Sequence, residues 1–194
     1  RLLEAVSHKN VSRFQEANIL FQKVEKEAKD MLLKVDSSKR NPIIIILRNC
    51  YHSWGNLYKR VNPKIAMKYF ELAEDYNSQY DSKNLQYSES NASLFLDKGQ
   101  LYRVMKDLNS ALTCYNQANE ILINAKKHDI EIDIFIEVSL YNSIGNIYRD
   151  KEEYESAILW YDKAIDLTDK GISEGKYMDL SIYILNINNR RGVY

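Results

Sequence analysis

The side chains able to do chemistry are few and scattered. The 194-residue chain holds three histidines, His8, His52 and His128, and two cysteines, Cys50 and Cys114. A metal site needs two or more His, Cys or carboxylate groups converging at ligand spacing. None of the histidines has a second ligand at helical spacing, so no metal is expected. Neither cysteine has a histidine placed to activate it, and both read as buried small residues. Gly-rich phosphate loops, nucleophile elbows and HExxH are absent. The sequence therefore offers no catalytic residue, no cofactor and no enzyme. It does offer a periodic set of polar side chains keyed to glycines. One residue after Gly55, Gly99 and Gly145 stand Asn56, Gln100 and Asn146. Four after stand Lys59, Arg103 and Arg149, and three before stand His52, Leu96 and Asn142, with Asn189 three before Gly192. A carboxamide carries both donor and acceptor, so a row of them can grip a peptide backbone whatever its side chains. The cations would meet acidic side chains, although each also lies near a helix C-terminus, where it complements the dipole without any ligand. With 18 asparagines in the chain, some fall on any row.

These rows need elements that repeat. The glycines recur in one local context: Tyr51-His-Ser-Trp54-Gly55-Asn-Leu-Tyr58, Phe95-Leu-Asp-Lys98-Gly99-Gln-Leu-Tyr102, Tyr141-Asn-Ser-Ile144-Gly145-Asn-Ile-Tyr148, and a shortened Asn188-Asn-Arg-Arg191-Gly192-Val193-Tyr194. Glycine inside a helix costs about 1 kcal/mol relative to alanine. Its repeated use at one register implies a neighbouring helix that needs the space of the missing Cβ. After each complete segment comes a second pattern, Ala66-x3-Phe70-x2-Ala73, Ala111-x3-Tyr115-x2-Ala118 and Ala157-x3-Tyr161-x2-Ala164. Small residues and a ring at these spacings share one helical face and allow close approach. Short turns join the two patterns, and Asn62-Pro63 and Asn41-Pro42 read as helix starts. Gly171 and Gly175 read as a loop. Each repeat is thus an antiparallel helix pair.

The signature W-x2-L-G-x2-Y … A-x3-F … A resembles that of the tetratricopeptide repeat. Three complete copies cover roughly 43–80, 87–126 and 130–170, with a degenerate repeat over 1–40, in which Ala17-x3-Phe21-x2-Val24 stands for a second helix, and a partial repeat over 176–194. The resemblance implies an all-α fold, a single right-handed α-solenoid of antiparallel helix pairs over 1–194. Helices are expected near 12–35, 42–60, 63–80, 87–105, 108–126, 130–150, 153–169 and 176–194. The glycines lie 44, 46 and 47 residues apart, against a common repeat of about 34, and no proline closes the second helices. Those helices can therefore run on by a turn, and the next can start early at Ile43–Leu47 or Ile130–Phe135. Lys98 and Arg191, before their glycines, suggest imperfect packing.

The resemblance further implies that first helices line a concave groove. The side chains three before, one after and four after each glycine would point into it: Asn56, Lys59, Gln100, Arg103, Asn142, Asn146, Arg149 and Asn189. The expected partner is a protein or extended peptide in that groove. The chaperone-type clamp for a terminal carboxylate is not expected, because only Asn56 matches it, while His52, Asp97, Ser139 and Ser143 fill other clamp places. Regulatory members with longer repeats are the nearer likeness. The function implied is a non-enzymatic binding scaffold, the sensory or regulatory region of a larger signalling or transcription-regulating protein. The competing reading is an accessory region of an enzyme whose catalytic domain lies elsewhere.

Composition narrows the partners. Lys plus Arg (27) balances Asp plus Glu (27), so no global field holds nucleic acid or an anionic membrane. The longest aliphatic run, Ile43–Leu47, is far short of the roughly 20 residues of a membrane span. Beneath the neutral total, residues 1–64 carry 13 basic against 6 acidic groups, but Lys23, Lys26 and Lys29 alternate with Glu25, Glu27 and Asp30 as a solvated helix face does. Most of the fifteen tyrosines fall on the core register rather than on a stacking surface for nucleic acid. Two cysteines suit a reducing, cytoplasmic setting. Both ends lie in mid-pattern, from which a fragment of a longer polypeptide is expected. The last helix would then leave Ile182, Ile184, Ile187 and Val193 bare for a homodimer or an intramolecular partner.

Overall fold

A computed structural model describes the backbone of residues 2–79, 87–175, 188–190 and 192, with side chains from residue 13 onward. Among the described residues every regular element is helical, as the sequence leads one to expect. The chain divides into two compact units, Arg1–Lys83 and Asn84–Tyr194.

The first unit contains α1 (Leu2–Leu32), a 3-10 turn (Ser37–Lys39), α2 (Arg40–Tyr58) and α3 (Pro63–Ser78). Ile43, Ile44, Leu47, Tyr51 and Trp54 of α2 are buried, as are Ala66, Phe70 and Ala73 of α3, and the two helices pack on one another. The Asn62 side chain accepts a hydrogen bond from the Ile65 amide, 3.2 Å, so Asn62-Pro63 does start α3. Asn41-Pro42 does not start α2. The 3-10 turn runs straight into that helix and moves its cap back to Lys39. Helix α1 begins at Leu2, earlier than expected, and packs on α2 as a preceding second helix would. Phe21 stacks on Trp54 at 5.8 Å, and the Asn18 side-chain oxygen accepts from both Trp54 Nε1 (2.8 Å) and the Tyr58 hydroxyl (3.2 Å).

The second unit contains α4 (Ser88–Val104), α5 (Leu108–Lys127), α6 (Ile134–Asp150) and α7 (Tyr154–Ser173). One core joins Ala92 and Leu96 of α4, Ala111, Tyr115, Ala118 and Leu122 of α5, and Leu140, Ile144 and Ile147 of α6. Val138 of α6 meets Ala164 of α7. Three-residue connections between α4 and α5 and between α6 and α7 leave room only for antiparallel pairs. The turns close alike: Lys106 (φ 66), Asp129 (φ 57) and Glu152 (φ 64) are left-handed. The amides that follow them, of Asp107, Ile130 and Glu153, reach back to the carbonyls of Tyr102, Ala125 and Tyr148 at 3.0, 3.1 and 2.9 Å.

The glycine register has the cause inferred from its spacing. A Cβ on Gly55 would stand 2.4 Å from the Phe70 ring, on Gly99 2.3 Å from the Tyr115 ring and on Gly145 2.6 Å from the Tyr161 ring. Each aromatic of a second helix sits on the backbone of its own first helix. The long repeat spacing is likewise explained: α5 and α7 run on to Lys127 and Ser173, and bury Leu122, Ala125, Thr168 and Gly171 in the added turns. Gly171 is therefore a buried helical residue rather than a loop, whereas Gly175 is left-handed (φ 71) just past the helix. Helix α6 starts at Ile134, not near 130, because the Asp133 carboxylate accepts from the Phe135 amide at 2.9 Å and caps it there. Lys98 is buried, with its ammonium 5.8 Å from the centre of the Phe95 ring. Both cysteines are buried and reduced, and burial pushes the Cys50 thiol up to about 11. Ile182, Ile184, Ile187, Arg191 and Val193 lie outside the described residues.

Candidate functional site

The expected groove residues sit on first helices, where the glycine register puts them. In the first unit Asn56 is exposed on α2, and Lys59, at that helix's C-cap, is half-buried. In the second unit Gln100 and Arg103 belong to α4, and Asn142, Asn146 and Arg149 to α6, all five half-buried. Helices α4 and α6 touch one another.

Three of these residues converge. Arg103 crosses from α4 to α6 and donates through Nε and Nη2 to the two carboxylate oxygens of Asp150, at 2.7 and 3.2 Å. That fork-on-carboxylate arrangement is the geometry in which arginine binds acids best. Arg149 brings its Nη2 to 3.8 Å from the same carboxylate. Beside them the Tyr161 hydroxyl, from α7, donates to Asn146 Oδ1 at 2.9 Å. Burial raises the Tyr161 pKa, the nearby Arg149 and Arg103 work against that rise, and Asp150 adds to it. The result is a partly exposed patch with two guanidiniums, a carboxamide, a phenol and one carboxylate of the protein's own.

The other carboxamides are placed differently. Asn189 Nδ2 donates to Asn142 Oδ1 at 2.8 Å, so these two make a pair three residues before their glycines. Arg190 beside it pairs with Asp162 of α7.

Sequence reasoning did not find Asp150 or Tyr161 as members of this surface. The Tyr161 ring is buried as its core register implies, but its hydroxyl reaches Asn146, the residue after Gly145. Asp150 follows Arg149 in sequence, and nothing in a single chain shows that Arg103 lies opposite. A second polar cluster was also missed. Glu137, almost fully buried, accepts from Lys126 at 2.5 and 2.6 Å and from the Tyr141 hydroxyl at 2.7 Å. It lies in the wall of a 170 Å³ pocket floored by Ile132, Ile134 and Leu167.

Among the described residues no group of three His, Cys, Asp or Glu side chains could hold a metal, and no helix is long and apolar enough to cross a membrane.

No curated protein matches the chain. Among solved structures it is similar to BtubC (BKLC) from P. vanneervenii, with a TM-score of 0.69 and 21% identity over 96% of this chain and 67% of that one. At that identity the likeness is one of fold. The tetratricopeptide repeat family model matches residues 92–121 and 138–170, which are the α4–α5 and α6–α7 pairs. Both matched segments carry the same glycine-on-ring packing, so residues 92–121 and 138–170 have the sequence and the packing of tetratricopeptide repeats.

Proposed function

We propose that the chain binds an extended peptide of a protein partner along the surface of its first helices, with Arg103 and Arg149 reading acidic side chains and Asn146 and Gln100 the peptide backbone. Tetratricopeptide repeats are protein-interaction scaffolds in general, and that coarser role follows from the repeats themselves. The observation supporting the finer reading is the convergence of Arg103, Arg149 and Asn146 on one partly exposed patch. Asn56 and Lys59 offer the same side-chain chemistry in the first unit, and Asn142 and Asn189 extend the row. Binding of this kind needs no cofactor, metal, nucleic acid or membrane. It suits the sensory or regulatory region of a larger signalling or transcription-regulating protein, working in the cytoplasm.

The test must separate recognition from folding, because Asn146 also holds the buried Tyr161 hydroxyl. Losing that acceptor would leave the hydroxyl unsatisfied, at a cost of about 1–3 kcal/mol. Asn146→Ala is therefore made in a Tyr161→Phe background, and joined by Arg103→Ala and by Lys127→Ala on the exposed side of α5. A peptide selected on the wild-type chain should bind several-fold more weakly to the Asn146 and Arg103 variants and unchanged to Lys127→Ala. Equal binding by all four would place the partner on another face.

A further inference from the structure

The carboxylate in the arginine patch belongs to the protein, and its position is unfavourable on local grounds. Asp150 is the last residue of α6, where the negative end of the helix dipole repels an anion. Its offsetting contacts are the Arg103 fork at 2.7 and 3.2 Å and the Arg149 guanidinium at 3.8 Å. All three side chains keep a quarter to a third of their surface in solvent, so water and solutes reach the pair.

We infer that Asp150 is an internal pseudo-ligand: it fills the carboxylate site made by Arg103 and Arg149, and an acidic side chain of the peptide partner must displace it to bind. The inference rests on the peptide-binding reading above and adds the chemistry and the regulation of that same site. Exchange of one carboxylate for another keeps Arg103 and Arg149 paired throughout, so the displacement is a competition and does not expose a bare charge. Once displaced, Asp150 turns into solvent at a helix end that disfavours it when paired no more than when free. The resident acid thereby sets a threshold: neutral and weakly acidic peptides leave the fork closed, and peptides with several acids open it.

Fluorescence anisotropy with labelled hexaglutamate, and hexaglutamine as the neutral control, tests this on the whole chain. Asp150→Asn should tighten hexaglutamate binding about two- to fivefold, the range of a partly exposed ion pair. It should leave hexaglutamine unchanged, and Arg103→Ala added to Asp150→Asn should abolish the gain. Thermal melts of each variant establish that the fold is kept. If hexaglutamate binds wild type and Asp150→Asn equally while Arg103→Ala weakens both, the patch reads acids without competition, and the inference alone fails. If hexaglutamate binds neither wild type nor Asp150→Asn, acid recognition at this surface fails together with it.

Discussion

The Tyr161 hydroxyl donates to Oδ1 of Asn146 at 2.9 Å, whereas the Tyr115 hydroxyl, at the same place in the preceding repeat, is buried without a partner among the described residues. Ser143 lies close enough to favour the ionised form of Tyr115, but it is not placed for a full hydrogen bond, and burial dominates in raising that pKa. The two phenols therefore differ in what a lost hydroxyl costs. Tyr161→Phe should destabilise the chain by about 0.5–1.5 kcal/mol, while Tyr115→Phe should be neutral or slightly stabilising. Urea denaturation of both variants, with equal slopes, measures the difference.

The glycine register makes an equally direct prediction. Gly145→Ala gains about 1 kcal/mol in helix propensity, but its Cβ meets the Tyr161 ring at 2.6 Å, and overpacking of that kind costs about 1–3 kcal/mol. The net effect should be destabilising. Adding Tyr161→Leu to Gly145→Ala should cost less than the sum of the two single changes, because the flexible aliphatic chain can yield where the ring cannot. A double-mutant cycle by thermal unfolding reads that coupling.

Helix starts differ in quality, and one that lacks a side-chain cap can be improved. Asp107 caps α5 through the Ser110 amide at 3.0 Å, and Asn62 caps α3, but Glu153 at the start of α7 makes no side-chain cap. Its carboxylate stands one methylene too far out. Glu153→Asp should stabilise the chain by about 0.5–1 kcal/mol. Glu152, just before it, is left-handed at φ 64, so Glu152→Gly should relieve about 1 kcal/mol of backbone strain. Calorimetric melting temperatures should rise for each change and add for the pair only in part, since the two residues are neighbours.

The first unit carries a predictable acid sensitivity. Burial would raise the pKa of Glu25, but hydrogen bonds from Lys29 (2.8 Å) and the Tyr51 hydroxyl (2.7 Å) outweigh it and hold the carboxyl below its ordinary 4.5. A lowered carboxyl pKa stabilises the fold above the unfolded value, and that contribution is lost as pH falls through the folded value. The Lys29 pKa is raised, chiefly by its bond to Glu25, so its contribution is complete through neutral pH and fades only in strong alkali. The urea midpoint of wild type should drop more between about pH 5 and pH 3 than that of Glu25→Gln, which has no charge to lose there.

Much of this architecture was legible because it rests on local rules. The Gly–aromatic register reports backbone contact between paired helices, and the Ala–aromatic spacing reports the face that makes it. Both survive as sequence pattern because the contact tolerates few residue types. Helix ends were read less well where a cap or turn decided them: Asp133 delays α6 to Ile134, and the turn at Ser37–Lys39 moves the start of α2 ahead of Asn41. Gly171 reads as a loop residue because it is near Gly175, yet it is a buried residue of α7. The site was legible as a row and not as a network. Arg103 and Asp150 are 47 residues apart, and their meeting depends on the angle between α4 and α6, which no spacing within one helix encodes. The Tyr161–Asn146 bond was hidden for a related reason, since a core ring with a polar tip serves two environments at once.

Where a partner lies on the chain decides the peptide-binding proposal. Backbone amide and arginine side-chain NMR shifts, followed while a peptide selected on the wild-type chain is titrated in, locate it residue by residue. The largest changes should fall on Gln100, Arg103, Asn142, Asn146 and Arg149, with the Arg103 Nε signal moving as its bond to Asp150 is exchanged. Changes confined to the exposed sides of α5 and α7, with Arg103 and Asn146 unmoved at saturation, would contradict it.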